Sequence, residues 1–574
     1  RSSVKAVCKS VTITGMTGHV RRNTHLAQLS ELGIGIVDNE SISRHSFVRS
    51  DGCWNFDFAE LYRRKNSALN HQLVRPSGVT TKLSDHQIRL INNIQANQED
   101  SIEAQAYAGT GKTFVLDEIM ARMPDRKFIF LADVEPKLRA IRDRFPKERL
   151  KTSTFKRLAE SLLSNGSRAL QIRMVEASRL TLSYSGLAER ASLSGIGSQS
   201  ATQVAAICWA AIFKFCMSKD PQITLDHIPL LPAQGYSNYE KQILIAAATT
   251  LWVKLSHWDL EAPLLPIRGY HRIKQASLAQ LYIPESIDTI LIDEAHDLTA
   301  PMVEILDRSP QTVISLGDQL QNLEGSYIPH NALVRHRDMS ISLRAGQPLV
   351  HHINQIIELF PAAPSDPFVA DKEKEMIVAE YPANSFPPEH TVILVADDWG
   401  LFDWLIRSRH MNQSVAVVDW DSSFERFLES CLNLYLRDEK PISGPITHYK
   451  TWGQLRDQMM WNDAFVRVEQ WLGTVGARYG VSGLYKCAHI GELSNKRLAR
   501  SLIATVFTVK NFEFSRLTIS EDLYYAPDLR GKKLMSKKLA LLYTAMTRAS
   551  GKLYIPESHR EWTSYIRRES SFLK

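Results

Sequence analysis

No run of apolar residues in the 574-residue sequence approaches the length of a membrane span, and no signal-peptide pattern opens it. Cysteine is sparse: six residues (Cys8, Cys53, Cys208, Cys216, Cys431, Cys487) without a C-x-x-C or other zinc spacing. That excludes a disulfide scaffold or zinc ribbon and suits a reducing compartment; the expectation is a cytoplasmic protein, nucleoid-associated if bacterial and nuclear if eukaryotic. Acidic residues are missing from the first thirty positions, where Arg1, Lys5, Lys9, Arg21 and Arg22 all precede Glu31. Such a basic arm reads as a solvated tail before it reads as a nucleic-acid contact. The opening Arg1 in place of Met leads us to expect a fragment or processed product. There is no internal repeat. An apolar fraction of 44%, a charged fraction of 23% and a formal charge of +7 are ordinary for a globular chain of two to four domains.

Buried-strand patterns recur, each followed by a polar tip: "KFIFLAD", "DTILIDEAHD", "QTVISLGDQ", "TVILVADD" and "SVAVVDW". Helical stretches separate them, which predicts an α/β protein with parallel sheets covered on both faces. The strands fall in two groups, roughly residues 100–320 and 390–555. Between Phe155 and Ile287 the pattern turns all-helical, with "SATQVAAICWAAIFKFCMSK" and "YSNYEKQILIAAATTLWVKLSH" as long apolar-rich helices. A second interruption near 441–499 carries Trp452, Trp461 and Trp471, which read as core packing. Residues 1–80 carry no motif.

The segment "AQAYAGTGKTF" has the makings of a phosphate-binding loop, with Ala106 where a strict G-x-x-x-x-G-K-[ST] pattern begins with glycine. Gly109 and Gly111 permit the tight turn around Thr110, Lys112 supplies a cation for the outer phosphates and Thr113 a hydroxyl for Mg²⁺. A strand-like "IEAQA" precedes the loop and a helical "TFVLDEIMARM" follows it. In "ILIDEAHD" a buried strand ends in Asp293, a candidate Mg²⁺ ligand, and Glu294, a candidate base toward the attacking water. Gln321 in "ISLGDQLQ" is a candidate γ-phosphate sensor, and Arg548 in "LLYTAMTRASGKLYI" a candidate arginine at the transferred phosphoryl group.

With these residues in hand, the sequence from about 83 to 556 resembles superfamily 1 DNA helicases of the UvrD/Rep type, with the motifs in the family's order. "LSDHQ" resembles the Q motif, in which Gln87 would read adenine. "AYAGTGKT" is similar to a loop in which Ala often takes the first position, so Ala106 fits the family pattern. "TFKRLA" resembles a motif that contacts single-stranded DNA, through Thr154 and Phe155. "DEAHD" and "GDQLQ" have their family counterparts, and "SLRAG" makes Arg344 a first arginine at the γ-phosphate. "TVFTVKNFEF" resembles the motif that brings Thr505 to nucleic acid and Glu513 to the nucleotide, and "YTAMTRA" makes Arg548 the second arginine. Departures are Leu343 for a stacking tyrosine, Phe507 for a histidine, Asn511 for a glycine and Glu135 for a lysine; Tyr327 is a candidate replacement for the aromatics missing after "GDQLQ".

The resemblance implies a P-loop NTPase fold of two RecA-like parallel-sheet domains with helical insertions. Residues 81–155 and 287–338 would form the first domain and 156–286 its helical insertion. Residues 339–440 and 500–556 would form the second, with 441–499 a much reduced insertion, 1–80 an extension of unknown role and 557–574 a tail. It further implies ATP and Mg²⁺ as cofactors and single-stranded DNA as partner, with 3′–5′ movement coupled to strand separation; RNA stays open as the strand. Two other readings stand beside it: an ATPase that translocates or remodels nucleoprotein without unwinding, and a non-catalytic nucleic-acid-binding scaffold.

Overall fold

The computed structural model describes residues 68–571, apart from 76–77, 133–134, 230–236, 258–261, 324–333, 362, 365, 419, 421, 440, 442–445, 447–448, 486–487, 492–499, 511 and 525–531. The N-terminal basic arm, Cys8, Cys53, Cys487, Asn511 and Tyr327 lie outside the described residues. The chain divides at Asn66/Ser67, and the sheets, helices and cleft belong to the unit beginning at Ser67.

The described chain is α/β, built on two wholly parallel sheets. The first has six strands in the spatial order Leu150–Ser153, Phe128–Leu131, Thr289–Asp293, Thr312–Gly317, Ser101–Ala106, Val334–Met339. The second has seven: Ile377–Tyr381, Ala549–Pro556, Phe514–Ile519, Val392–Val395, Ser501–Thr505, Val415–Val418, Ala488–Gly491. The central strands "FIFL", "VILV" and "VAVV" are buried at every residue, as parallel strands covered on both faces must be. Parallel pairing also puts every strand's C-terminal tip along one edge. Ala106, Asp293 and Gly317 therefore end side by side, with only Thr312–Gly317 between the strands that carry the other two.

Between strands Leu150–Ser153 and Thr289–Asp293 the chain is mainly helical. Helix Ala201–Met217 starts at Ser200, whose side chain and Gln203 form a reciprocal capping box, and helix Asn238–Ser256 starts the same way with Ser237 and Glu240. Leu244, Ala248, Leu251 and Leu255 recur at helical spacing and are buried against Ala205, Cys208, Ile212 and Phe215 in a core separate from the sheets. Lys274 is buried with them; its ammonium donates to the carbonyls of Ser218 (2.8 Å) and Asp220 (2.7 Å) and lies 4.5 Å from the Phe215 ring centroid.

Helices Trp452–Met459 and Asp463–Trp471 bury Trp452, Phe465, Val468 and Trp471 in the core on one face of the second sheet, with Trp399 and Phe402. Trp461 departs from the core reading of these tryptophans, because it sits in the turn between the two helices and is 60% exposed. On the same face Arg407 bonds Glu521 (2.7 Å) and lies over the Trp404 ring (4.1 Å), while Arg467 holds both carboxylate oxygens of Asp403 at 2.9 Å. Among the described residues no helix is long and apolar enough to cross a membrane.

Candidate nucleotide cleft

Strand Ser101–Ala106 leads into the loop 107–111 and then helix Lys112–Arg122. Gly109 and Gly111 both hold left-handed backbone, at φ +77° and +83°. A Cβ at Gly109 would stand 2.6 Å from the Arg344 Cβ, and one at Gly111 would stand 2.7 Å from the Gln87 side-chain nitrogen. Conformation and close packing therefore demand glycine independently. Ala106 is fully buried at the foot of the loop, and Thr110 ties the turn by donating to the Tyr107 carbonyl (2.9 Å).

Lys112 opens the helix, with Nζ 3.3 Å from the Ala106 carbonyl and 3.5 Å from the Glu294 carboxylate. Thr113 Oγ1 donates to Asp293 Oδ2 at 2.6 Å. A hydroxyl and a carboxylate at that separation are the hard oxygen ligands that Mg²⁺ takes. Glu294 adopts φ +61°, a left-handed backbone that costs a non-glycine residue about 1–2 kcal/mol. That outlier turns the chain sharply after the strand and leaves the carboxylate facing Lys112.

Gln321 is positioned by Asp318, which is wholly buried. Its carboxylate accepts from Gln321 Nε2 (2.9 Å), Tyr543 Oη (2.7 Å) and Gln105 Nε2 (3.1 Å), and its backbone N–H donates to His296 Nδ1 (3.0 Å). Burial pushes the Asp318 pKa up, and Lys112 and these donors oppose the shift. Burial likewise lowers His296 to about 4 and keeps its ring neutral, as its role of acceptor requires.

Two arginines reach the same cleft from the end of the first sheet and from the second sheet. Arg344 donates to the Thr547 carbonyl (2.9 Å) and pairs with Glu513. Arg548, buried, donates to Gln321 Oε1 (2.8 Å), the Thr544 carbonyl (3.1 Å) and the Lys510 carbonyl. Burial, and then the neighbouring Arg344, lowers its pKa to about 10, so the guanidinium remains charged at neutral pH. The cleft has a volume of about 460 Å³; Gly109, Gly111, Lys112, Thr113, Glu294, Arg344, Glu513 and Arg548 line it together with Phe114, Leu343, Lys374 and Ser550.

Other expected residues stand apart. Gln87 is buried behind the loop with both ends of its amide engaged, accepting from Ser84 N–H (2.9 Å) and donating to the Thr110 carbonyl (2.9 Å). Thr154 caps helix Phe155–Ser164 and is buried, as is Phe155, which packs on the first sheet. Thr505 ends a second-sheet strand and shares a hydrogen bond with Thr508 (3.0 Å); Phe507, just beyond it, is 55% exposed. Glu135 is engaged by Arg157 (2.6 Å) and Arg142 (3.4 Å). Sequence reasoning missed Asp318, Tyr543, His296, Lys374 and the ion pair of Lys510 with Asp297. Asp318 lay inside a quoted motif and could have been found there; Lys374 carries no local signal.

No protein-family model matches the chain. Among curated proteins it is similar to F-box DNA helicase protein 1 of Schizosaccharomyces pombe, with 27% identity over 252 residues, 41% of this chain. The matched part spans 27% of that relative's length.

Proposed function

We propose that the chain is an ATP-dependent DNA helicase or translocase of the UvrD/Rep-like superfamily 1, moving 3′–5′ on single-stranded DNA. The observation that carries the reading is the convergence of Lys112, Glu294, Arg344 and Arg548 on one cleft lined by residues associated with both sheets. The similarity to a protein named as a DNA helicase supports the same class. On this reading the two sheets are the cores of two RecA-like domains, and 156–286 is an insertion in the first.

In the proposed mechanism the loop N–H groups and Lys112 bind the outer phosphates of ATP. Thr113 and Asp293 hold Mg²⁺, which supplies charge neutralisation across the phosphates. Glu294 orients the attacking water and accepts its proton, while Gln321, held by Asp318 and bonded to Arg548, would register loss of the γ-phosphate through that arginine. Arg344 and Arg548 stabilise charge on the transferred group, and losing that group loosens the contact between the halves. Strand grip and release follow from this change in closure.

A specific observation favours a second reading, translocation without unwinding. Helices Trp452–Met459 and Asp463–Trp471 bury Trp452, Phe465 and Trp471 in the second sheet's core, which supports a structural role for these two helices over engagement of a duplex.

The test is steady-state ATP hydrolysis alone, with single-stranded DNA and with single-stranded RNA, beside Lys112→Ala. DNA stimulation abolished in the variant supports the motor; stimulation by RNA alone moves the substrate; indifference to both strands sinks the proposal. Unwinding of duplexes with a 3′ or a 5′ tail then separates helicase from translocase and fixes polarity.

A further inference from the structure

The lining of the nucleotide cleft is of two kinds. Lys112, Glu294, Arg344 and Arg548 supply charge for the phosphates and the attacking water, whereas Phe114 and Leu343 are apolar. Phe114 follows Thr113 in the first turn of helix Lys112–Arg122 and packs against the first-sheet core. It is half-buried, so part of the ring is backed by that core while the rest is open to the cleft. Leu343 lies beside the phosphate loop, its Cδ1 4.0 Å from where a Cβ on Gly111 would stand. A flat ring with a fixed backing is a surface on which any base can stack, because every base has a π-face.

The polar side chains that could read the edge of a base are mostly engaged. The buried Gln87 amide accepts from the Ser84 N–H and donates to the Thr110 carbonyl, both at 2.9 Å. Turning it toward a ligand would open the capping box that starts helix Asp85–Ala96 and strip a partner from the phosphate loop itself. Glu513 is paired with Arg344. Lys374 also lines the cleft and is half-buried, while Lys372, Glu373 and Glu375 around it are exposed. Its segment is fixed by the Asp371 N–H on the Ser342 carbonyl (3.0 Å) and the Lys374 N–H on the Asp371 carbonyl (3.2 Å). An ammonium has donors only, so it can serve purine N7, an acceptor that adenine and guanine share, and cannot single out adenine by its amino group. The Ser550 hydroxyl donates or accepts and so suits either purine. Strong rejection of an analogue requires a group that the analogue leaves unpaired. Between the two purines neither the Phe114 ring nor the Lys374 ammonium supplies one.

We propose that the cleft takes nucleoside triphosphates of either purine, adenine or guanine, with the base laid on the Phe114 ring and its N7 accepting from Lys374. The inference rests on the reading of the cleft as a nucleoside triphosphate site. Gln87 is then a brace of the phosphate loop, and Phe114 and Lys374 set the substrate class.

The experiment is displacement of a fluorescent ATP analogue, methylanthraniloyl-ATP, by unlabelled ATP, GTP and CTP with Mg²⁺ present, for wild type, Phe114→Ala, Phe114→Tyr and Lys374→Ala. In wild type ATP and GTP are expected to bind within about tenfold of each other, and CTP, with a smaller ring and no N7, more weakly. Phe114→Ala weakens both purine nucleotides by about tenfold, the magnitude of a lost aromatic stack, and Phe114→Tyr retains them. Lys374→Ala weakens ATP and GTP more than CTP. Thermal melting is the fold control for the Phe114 variants; if Phe114→Ala fails to fold, wild type and Lys374→Ala carry the test. ATP bound more than about tenfold tighter than GTP overturns the inference, as does unchanged purine affinity in a folded Phe114→Ala. Equal weakening of all three nucleotides in Lys374→Ala places the lysine on the phosphates and overturns its part in reading the base. Wild type that binds no nucleotide defeats the proposed function together with this inference, whereas binding confined to ATP defeats this inference alone.

Discussion

Arg548 donates to Gln321 at 2.8 Å, joining the end of a helix beside the second sheet to a strand tip of the first. The two residues are 227 positions apart, and each is held from behind: Gln321 by Asp318, and Arg548 by the carbonyls of Thr544 and Lys510. The contact ties residues associated with the two sheets together through the glutamine side chain.

Arg548→Ala is expected to lower ATP turnover by about 10³-fold or more, the magnitude typical of a lost arginine at phosphoryl transfer. It also strands the buried Gln321 oxygen, at a cost of about 1–3 kcal/mol in stability. Steady-state hydrolysis and urea denaturation read the two effects separately. Wild-type turnover in the variant would remove the arginine from the mechanism.

Glu294→Gln retains shape but not basicity, so turnover is expected to fall about 10²–10⁴-fold while nucleotide binding persists. Single-turnover hydrolysis beside a fluorescent-nucleotide titration checks both. Glu294→Gly adds a stability test: at φ +61° glycine relieves about 1 kcal/mol of strain, offset in part by its freedom in the unfolded chain.

Gly109→Ala should abolish nucleotide binding without unfolding the first sheet. Its φ is +77°, and the new methyl would meet the Arg344 Cβ and Ser342 Oγ at 2.6 Å. Circular dichroism of native shape combined with lost nucleotide affinity is the expected result. Wild-type affinity would show that the loop accommodates the methyl.

His271, in the helical segment, supplies the pH prediction. Burial chiefly, then Arg268 and Arg272, lowers its pKa from 6.5 to about 3. A depressed folded-state pKa means that the unfolded chain takes up the proton first as pH falls. The stability associated with neutral His271 is present above about pH 6.5 and is lost progressively down to about pH 3. From about pH 7 to about pH 5 the expected loss is roughly 2 kcal/mol. His271→Asn, which can keep an acceptor for the Arg268 N–H, should flatten that part of the denaturation profile.

Much of the cleft could be read directly because its chemistry is local: a loop, a helix start and a strand tip each fit within ten residues. The parallel strands were visible for the same reason, since burial on both faces leaves runs such as "VILV" with no polar interruption. Long-range partners were not visible. Nothing near Asp318 announces Tyr543, 225 positions away, and nothing near Asp297 announces Lys510. Thr154 shows the converse difficulty: its hydroxyl caps a helix, a local use that sequence cannot separate from contact with a ligand. Trp461 shares its neighbours' residue type but lies in a turn, where periodicity has no meaning.

The Ala108 carbonyl accepts from Ser342 Oγ and the Gly109 carbonyl from Leu343 N–H, both at 2.8 Å. The segment ending in Arg344 is thereby pinned to the phosphate loop by the loop's own backbone. If the two sheets swing apart, that stitch is the natural axle. Arg344, one residue from the axle, would barely travel, whereas Arg548 would cover the full arc. One arginine would be a permanent resident of the cleft and the other its visitor, so equal losses of turnover on mutation would conceal different reasons.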